Sequence, residues 1–225
     1  MRVRDLNWMQ LEGYLERDDR IVLPLGSTEQ HAYISLETDN ILAGRVAEEA
    51  AAPLGVPVLP VLAYGVTPRF AAYPGSPSIS AETYVRLLSD LTGSLRGQGF
   101  HRILLVNGHG GNSFAAEEVE GEGVRWHDWW RSERIRALVD EIDPEASHAS
   151  WMESFPWTRL EDVALPEGHK GALALQDVTD PGEFRGLAGD GSFGGFYERP
   201  DEEMLQIWAA AVDEVRALLE SGWSA

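Results

Sequence analysis

The sequence has no cysteine and few basic residues, and each shortage excludes a class of function. Without cysteine there can be no disulfide, no thiolate zinc site and no cysteine nucleophile, so any metal site must use His, Asp and Glu. Lys and Arg number 18 against 37 Asp and Glu, which gives a formal charge of −19 at pH 7. This charge would repel nucleic-acid phosphates and anionic membrane surfaces, so we expect neither as a partner.

Long apolar runs are also missing. No stretch approaches the length that spans a membrane, and the N-terminal segment Met1–Asp5 lacks the apolar core of a signal peptide. We therefore expect a cytoplasmic protein. Across its 225 residues the chain shows no linker, repeat or low-complexity tract, which predicts one α/β domain over residues 1–225.

Apolar residues alternate along the chain between the periodicities of strands and helices. Strands are predicted at 21–25, 56–62, 103–106 and 124–130, and helices within 1–20, from 39, from 80 to 97, at 114–120, at 132–142, within 147–155 and from 200 onward. Pro24 marks either an edge strand or the end of the first strand. Strands that alternate with helices predict a largely parallel sheet, while residues 160–197 are rich in glycine and show little periodicity.

The segment Asn107–Asn112, which reads Asn-Gly-His-Gly-Gly-Asn, follows the apolar strand at 103–106. Open α/β sheets present their chemistry in such turns, at the carboxyl ends of strands. The glycines allow the backbone to approach a ligand closely, and His109 offers a ring nitrogen to a metal or a proton.

A second polar loop, Gly26–His31, follows the strand at 21–25. Glu29 and His31 are two residues apart, so in an extended chain their side chains lie on the same side. Asp39 comes at the predicted start of a helix, where it is either a metal ligand or an N-cap. Histidine and carboxylate together suit Zn²⁺, Mn²⁺ or Fe²⁺, which makes these residues candidate ligands together with His109.

Four motifs resemble those of the creatininase (creatinine amidohydrolase) family and occur in the order found there. They are Gly26–His31 with Thr38-Asp39, Tyr73–Ser76, Asn107–Asn112 and His148–Glu153. The first and third are the most specific, and no motif covers the region after Leu160. The resemblance implies a three-layer α/β/α sandwich with a mostly parallel sheet.

The resemblance also implies a hydrolytic centre with two divalent metal ions, of Zn, Mn or Fe. Carried over position by position, the metal ligands are Glu29, His31, Asp39, His109 and Glu153. Asp39 would bridge the ions, a hydroxide bridging them would attack the substrate, and His148 would protonate the leaving group. For His148 the alternative is a histidine at a helix start without a chemical role.

Two departures from the family pattern bear on the substrate. Between His31 and Asp39 the chain is one residue shorter than usual, and Ala32–Glu37 lacks the usual Gly-Pro-His-Leu-Pro. A histidine present there in relatives is therefore missing. Gly111 stands where creatininase itself has a ligand carboxylate, which gives that role to Glu153 here.

Several other residues near these motifs are candidates for contact with a substrate. We expect Trp130, Trp151 and Asn112 to bind it, because Trp130 ends a predicted strand and Trp151 lies between two proposed site residues. Packing in the core is the alternative for both tryptophans. Arg69 and Arg199 are loop cations that could meet an anionic group, although the sequence does not single them out.

These inferences predict a metal-dependent amidohydrolase that cleaves a C–N bond other than a peptide bond, in a cyclic amide or a formamide. Two alternatives keep the site and change the bond: a hydrolase that opens a cyclic keto-sugar of the inosose type, and a peptidase that trims a precursor peptide. A third is a non-catalytic module that binds metal or ligand. The expected partner is a small-molecule substrate, and relatives imply a homo-oligomer, a hexamer by analogy.

Overall fold

The computed structural model describes residues 1–223 as a parallel sheet with helices on both faces. In chain order the helices and strands are α1 (Trp8–Leu15), β1 (Arg20–Leu25), α2 (Thr38–Ala51), α3 (Ala81–Gly97), β2 (Arg102–Asn107), α4 (Ala116–Val119), β3 (Val124–Asp128), α5 (Glu133–Ile142), β4 (His169–Lys170), α6 (Pro181–Ala188), β5 (Gly195–Phe196) and α7 (Asp201–Ser221). The parallel strands have the order β1–β2–β3, and β4 and β5 form a separate antiparallel pair.

Alternating apolar side chains attach helices to both faces of the sheet. Ile21 and Leu23 of β1 are buried on the face covered by α1 and α3, whereas Val22 is buried on the face covered by α2, α5 and α7. Leu104 and Leu105 of β2 divide between the two faces in the same way. Burial of each such side chain stabilises the fold by about 1.5–3 kcal/mol. The predicted three-layer α/β/α sandwich is therefore confirmed.

The strand predicted at 56–62 is present only as isolated bridges beside β1. Val22 N donates to Pro57 O, and Leu59 N donates to Val22 O. Pro24 has no N–H to continue this ladder, which explains why the pairing is interrupted. β1 thus lies between residues 56–62 and β2, and Pro24 is one residue from its end, as the second alternative for this proline required.

Two segments predicted to be helical are only partly so. At the N-terminus α1 begins at Trp8, because Val3 N donates to Val58 O and the first residues lie beside the 56–62 segment. Within 147–155 the structure has only a 3₁₀ turn at Trp151–Glu153. No helix among residues 1–223 is long and apolar enough to cross a membrane.

β3 ends two residues before the predicted boundary. Its last residue, Asp128, accepts a hydrogen bond of 2.7 Å from Asn107 Nδ2, which ties the end of β3 to the turn that carries His109. Trp129 and Trp130 follow in a turn and not in the strand. Because β3 is parallel to β2, this turn lies at the carboxyl end of the sheet.

The glycine-rich region 160–197 contains a helix that its weak periodicity did not predict. α6 begins at Pro181, and Asp180 caps it by accepting a hydrogen bond of 2.8 Å from Glu183 N. An Asp-Pro pair at a helix start is a recognised signal, but eight residues are too few to show a clear apolar stripe.

Candidate metal centre

The two polar loops meet at the carboxyl ends of β1 and β2. Glu29 and His31 follow β1, and His109 follows β2. The two strands are parallel neighbours, so both loops leave the same edge of the sheet. Asp39 enters from the first turn of α2, and a Cβ at Gly108 would lie 2.5 Å from its carbonyl oxygen. Glycine at this position therefore allows the His109 turn to pack against α2.

Asp39 lies between two groups of ligand-type atoms. Its Oδ1 is 3.1 Å from His31 Nε2, and its Oδ2 is 3.0 Å from His109 Nδ1. His109 Nδ1 is also 3.1 Å from Glu29 Oε1, and His31 Nε2 is 3.9 Å from Glu153 Oε2. Two triads thus share Asp39, and the potential ligand atoms of each lie within 4.8 Å of one another: Glu29–Asp39–His109 and His31–Asp39–Glu153.

Backbone carbonyls orient both imidazole rings of the triads. His31 Nδ1 lies 3.2 Å from Glu29 O, and His109 Nε2 lies 3.1 Å from Val66 O. When these nitrogens donate, the other nitrogen of each ring directs its lone pair at the carboxylates, which is the usual arrangement of metal-ligating histidines. A Cβ at Gly111 would overlap both Val66 O and the His109 ring, so the turn requires glycine there.

Burial and the close carboxylates strongly shift the ionisation of the triads. Burial opposes protonation of His31, yet the adjacent Asp39 carboxylate raises the pKa of His31 to about 10. His109 behaves in the same way, because Glu29 and Asp39 raise its pKa well above the ordinary value in spite of burial. Burial also raises the pKa of Glu153 to about 7. Without metal, the raised pKa values therefore keep His31 and His109 protonated beside the carboxylates.

The donor set fits divalent transition-metal ions. Within residues 1–223, the buried atoms His31 Nε2 and Asp39 Oδ2 have no hydrogen bond of acceptable geometry in spite of their close neighbours. Buried polar atoms are rarely left so. A cation in each triad would satisfy both atoms, and the three carboxylates would offset three of the four positive charges. Nitrogen and oxygen donors in this mixture suit Zn²⁺, Mn²⁺ or Fe²⁺.

His148 lies beside the triads in an aromatic setting. Its ring stacks on Phe70 at 4.9 Å between centroids and contacts Phe193 at 4.7 Å and His31 at 4.4 Å. Burial, with the neighbouring charge on His31, holds the pKa of His148 well below its ordinary value, so the ring is neutral. Its Nδ1 lies 4.0 Å from Glu29 Oε1, which makes His148, Glu29 and His31 a third possible ligand group.

Gln30 contacts the opposite edge of the His148 ring. Its Oε1 accepts from Ala32 N at 3.1 Å and its Nε2 donates to Gly191 O at 3.0 Å, so the orientation of the amide is fixed. The same Nε2 lies 2.9 Å from His148 Nε2 and directs its second N–H there. Gln30 O, 3.1 Å from this ring nitrogen, would instead require a proton on it. Because two bonds fix the amide, we assign the proton to Nδ1, which faces Glu29.

A cavity of about 700 Å³ opens over these residues. The predicted site residues on its wall are Glu29, Asp39, His109, His148, Glu153 and Trp130. His31 is fully buried and lies outside this wall, behind His148. The structure thus brings together all five predicted ligands and His148, and it places Trp130 where a substrate could touch it.

Trp151 and Asn112 lie away from the cavity wall. Trp151 is completely buried in the core shared by the sheet, α2, α5 and α7. Asn112 is also completely buried, accepts from Val66 N at 3.1 Å and donates to Gly26 O at 3.1 Å. It ties three loops of the site together. This placement does not support the expectation that Trp151 and Asn112 contact the substrate. Spacing in the sequence could not reveal this, because it does not show which way a loop side chain points.

Three contacts of His148 were not anticipated from the sequence. Gln30 belongs to the first motif, and its position between Glu29 and His31 was a usable signal. Phe70 and Phe193 lie in loops without periodicity, where a single aromatic residue gives no indication of its partner. Only the folded chain brings them to the same ring.

The fold and the buried triads define an α/β protein with candidate metal-binding groups at the strand ends. The chain matches the creatininase family model, described as creatinine amidohydrolase, over residues 4–219. The protein therefore belongs to the creatininase family of hydrolases, as its motifs indicated.

Its curated relatives carry different activities. The mycofactocin precursor peptide peptidase of Mycolicibacterium smegmatis is 31% identical over 141 residues, which cover 57% of this chain and 53% of the relative. The creatinine amidohydrolase of Pseudomonas putida is 29% identical over 163 residues, with 64% and 63% covered. The 3-dehydro-scyllo-inosose hydrolase of Thermotoga maritima is 31% identical over 103 residues, with 45% and 33% covered. The chain thus spans less than two thirds of each of these relatives.

Solved creatininase structures share the fold along the whole chain. One creatininase superposes with a TM-score of 0.79 at 21% identity and covers 100% of this chain and 98% of its own. A manganese creatininase has a TM-score of 0.79 at 20% identity, covering 100% and 99%, and a Zn–Zn form of a creatininase mutant has 0.76 at 20%, covering 100% and 98%. At this identity the likeness shows the fold, and the metals are those of the other proteins.

Proposed function

We propose that this creatininase-family hydrolase uses two divalent transition-metal ions to hydrolyse a C–N bond in a cyclic amide or a formamide. The observation that carries the proposal is the shared Asp39, whose two carboxylate oxygens lie at 3.1 and 3.0 Å from the imidazoles of two buried triads. The manganese and zinc forms of related creatininases support the choice of metals.

In this proposal Glu29 and His109 would hold one ion and His31 and Glu153 would hold the other, with Asp39 available to both. Such ions supply Lewis acidity, which lowers the pKa of water and polarises a carbonyl group. Backbone carbonyls keep both histidines in the tautomer that ligation requires.

His148 supplies the proton that the reaction needs. Water adds to the carbonyl carbon, and one of its protons moves to His148 as the Nδ1 proton of His148 passes to the departing nitrogen. The C–N bond breaks, the water oxygen stays on the carbonyl carbon, and the His148 ring is again neutral at the end of the reaction. Gln30 holds the opposite ring nitrogen, so Nδ1 stays directed toward Glu29. Phe70 and Phe193 cover the ring and limit the access of water, which strengthens electrostatic interactions in the site. Trp130 lines the cavity and would contact the substrate.

The proposal is tested on purified, metal-replete protein. We expect elemental analysis to find two transition-metal ions per chain, and a panel of hydantoins, lactams, formamides, peptides and cyclic diketones to show turnover of a non-peptide amide. Chelation should abolish this turnover and added metal should restore it. Absence of bound metal, or the lack of metal-dependent hydrolysis of every non-peptide amide in the panel, would overturn the proposal.

A precursor-peptide peptidase is the second candidate, and the relatives favour it. Mycofactocin precursor peptide peptidases from Mycolicibacterium smegmatis and Mycobacterium tuberculosis match at 31% and 36% identity. A peptide bond is itself an amide, so the same ligands and the same proton donor would serve. Turnover restricted to the peptides of the panel would establish this function. The prediction that the enzyme cleaves a C–N bond other than a peptide bond would then be wrong.

The remaining alternatives are separated by the same panel. Turnover of cyclic diketones alone would indicate the keto-sugar hydrolase, for which the inosose hydrolase of Thermotoga maritima is the relevant relative. Metal binding without hydrolysis of any compound would indicate a binding module. The homo-oligomer stays a prediction, which the molar mass of the protein in solution would test.

A further inference from the structure

The cavity wall carries a cation that the hydrolytic reaction does not use. Arg69 lines the cavity together with the triads and His148. We propose that Arg69 binds an anionic group of the substrate, a carboxylate or a phosphate, and thereby restricts the enzyme to acidic amides. The proposal rests on the hydrolytic function proposed above and assigns the class of substrate that this site accepts.

The backbone around Arg69 is fixed by contacts with the site. Arg69 lies in a 3₁₀ turn, Pro68–Phe70, and the ring of Phe70 stacks on His148. On the other side, Val66 O lies 3.1 Å from His109 Nε2. The chain is therefore attached to the site both before and after Arg69. The guanidinium lies over the ring of Phe184, 5.4 Å from its centroid, and this contact limits its movement.

Arg69 is partly buried but has no polar partner in the part of the chain that the structure describes. It makes neither a side-chain hydrogen bond nor an ion pair there, and the other arginines without such bonds are exposed: Arg4, Arg86 and Arg96. Partly buried Arg20, by contrast, binds Asp18 Oδ2 at 2.6 Å. Partly buried Arg125 also lacks a carboxylate, but it donates to Gly222 O and Gly121 O. Among the partly buried arginines of residues 1–223, Arg69 alone therefore has no polar partner. Its hydrogen-bonding capacity remains available to a ligand.

The charges on the cavity wall favour an anion beside Arg69. Outside the two triads, the lining residues of the described chain include no carboxylate, but they include Arg131 and Arg136. Arg131 is paired with Asp128 at 3.2 Å, and Arg136 is paired with Asp140. These two neighbours already have partners, so Arg69 is the cation of the cavity wall that lacks one among residues 1–223. An acidic substrate entering this acidic protein would meet its opposite charge here.

The guanidinium suits the proposed ligand in its chemistry. Its planar array of N–H donors binds two oxygens of a carboxylate or a phosphate at once. A cavity of about 700 Å³ has room for a small acidic amide that reaches both Arg69 and the triads. The amide carbonyl would lie at the triads, while its acidic group binds Arg69.

Three formamides of matched shape test the proposal. Metal-replete protein is titrated by calorimetry with N-formylglycine, with its neutral counterpart N-formylglycinamide, and with N-formylaminomethylphosphonate. We expect at least one acid to bind about tenfold to a hundredfold more tightly than the neutral amide, since hydrogen bonds to charged groups are the strong ones. The tighter of the two acids distinguishes a carboxylate substrate from a phosphate substrate.

Variants assign the preference to Arg69. Arg69→Gln should bind the acids no better than the neutral amide, and Arg69→Lys should keep part of the preference. Arg86→Gln is the matched control, because Arg86 is exposed on α3, lies outside the cavity wall and carries the same charge. It should behave as the wild type, and thermal unfolding verifies that all variants are folded.

The two proposals can fail separately. Equal binding of acids and neutral amide to the wild type, or no measurable binding of either, would overturn the role of Arg69 even if other amides are hydrolysed. A preference that persists in Arg69→Gln would also overturn it, since the anion would then bind elsewhere, for example at the metals. A preference that depends on Arg69, without hydrolysis of any compound, would leave anion binding intact and remove the hydrolytic function.

Discussion

The cavity has two sides that are built in different ways. The sheet side consists of residues 26–40, which lead from β1 into α2, and residues 107–112, at the end of β2. The cover side consists of residues 66–75, 147–153 and 189–197. Hydrogen-bonded parallel strands fix the sheet side, whereas the cover side has little regular structure. On the cover side, aromatic contacts such as Phe70–Phe193, 5.9 Å between centroids, replace the strand ladder.

This difference separates the tasks of the two sides. The sheet side holds four of the five candidate ligands, whose positions depend on the register of β1 and β2. The cover side supplies the fifth, Glu153, together with His148 and Arg69. Substitutions on the sheet side should therefore remove metal, whereas most substitutions on the cover side should leave metal bound and change turnover, substrate choice or stability.

The largest effect is expected on the sheet side, from His109→Ala. The change removes the only imidazole of the Glu29–Asp39–His109 triad. Loss of a residue that only hydrogen-bonds a metal ligand lowers metal affinity by roughly 10–100-fold, so loss of this ligand should lower it further. Turnover should be lost with the metal. Elemental analysis after dialysis measures the first effect, and His101→Ala, which alters an exposed histidine, is the control. Full metal content in His109→Ala would contradict the ligand assignment.

A cover-side substitution, His148→Gln, should produce the opposite combination. Metal content should stay at the level of the wild type, while kcat falls by about 10²–10⁴, the usual contribution of a general acid or base. Measurement of both quantities on the same preparation makes the comparison direct. Loss of metal would instead show that His148 is a metal ligand, in the third ligand group with Glu29 and His31. Metal binding and proton transfer would then not be divided between the two sides of the cavity.

The sheet side could largely be predicted from the sequence. Apolar runs at 21–25 and 103–106 marked parallel strands, and polar residues directly after them, such as Glu29 and His109, had to meet at one edge. The family motifs then added Glu153 and His148, which follow no strand. Local chain geometry was sufficient where the backbone itself carries the ligand into place.

The cover side could not be predicted in the same way. Trp151 and Trp130 looked alike in the sequence, yet one is fully buried in the core and the other lines the cavity. Arg69 could not be distinguished from a solvated charge, because its lack of a polar partner within the described residues depends on groups far along the chain. In irregular segments the direction of a side chain follows from tertiary packing, which has no period in the sequence.

A polar contact within the cover side gives the third prediction, and it concerns stability. Asp190 accepts hydrogen bonds from Lys170 Nζ at 2.5 Å and Tyr197 OH at 2.6 Å. Asp190→Asn should lower the free energy of unfolding at pH 7 by about 1.5–3 kcal/mol, as expected for hydrogen bonds to a charged group. Metal content should be unchanged, since the contact lies away from the triads. Urea unfolding measures the difference, and Asp162→Asn, at an exposed aspartate, is the control.

The same contact has a defined pH dependence. Burial opposes ionisation of Asp190, but the bonds from Lys170 and Tyr197 outweigh it and hold the pKa of Asp190 below its ordinary value. A depressed carboxylate pKa contributes stability above the unfolded-state value of about 3.9, and this contribution is lost as the pH falls below it. The difference between wild type and Asp190→Asn should therefore shrink below about pH 4. A constant difference down to pH 3 would show that charge is not its cause.

The smallest expected effect compares one alanine on each side of the cavity. Ala32 follows His31 and Ala149 follows His148, and both have left-handed backbone, with φ of 50° and 57°. This conformation costs a residue with a Cβ about 1–2 kcal/mol, and glycine avoids the cost but loses more freedom on folding. Ala32→Gly should therefore stabilise the protein by about 0.5–1 kcal/mol. Ala149 is buried, so Ala149→Gly also loses apolar contacts. It should therefore raise the free energy of unfolding by less than Ala32→Gly does. Urea unfolding of both variants measures the two gains, and an equal or larger gain for Ala149→Gly would show that the cover side carries the greater strain.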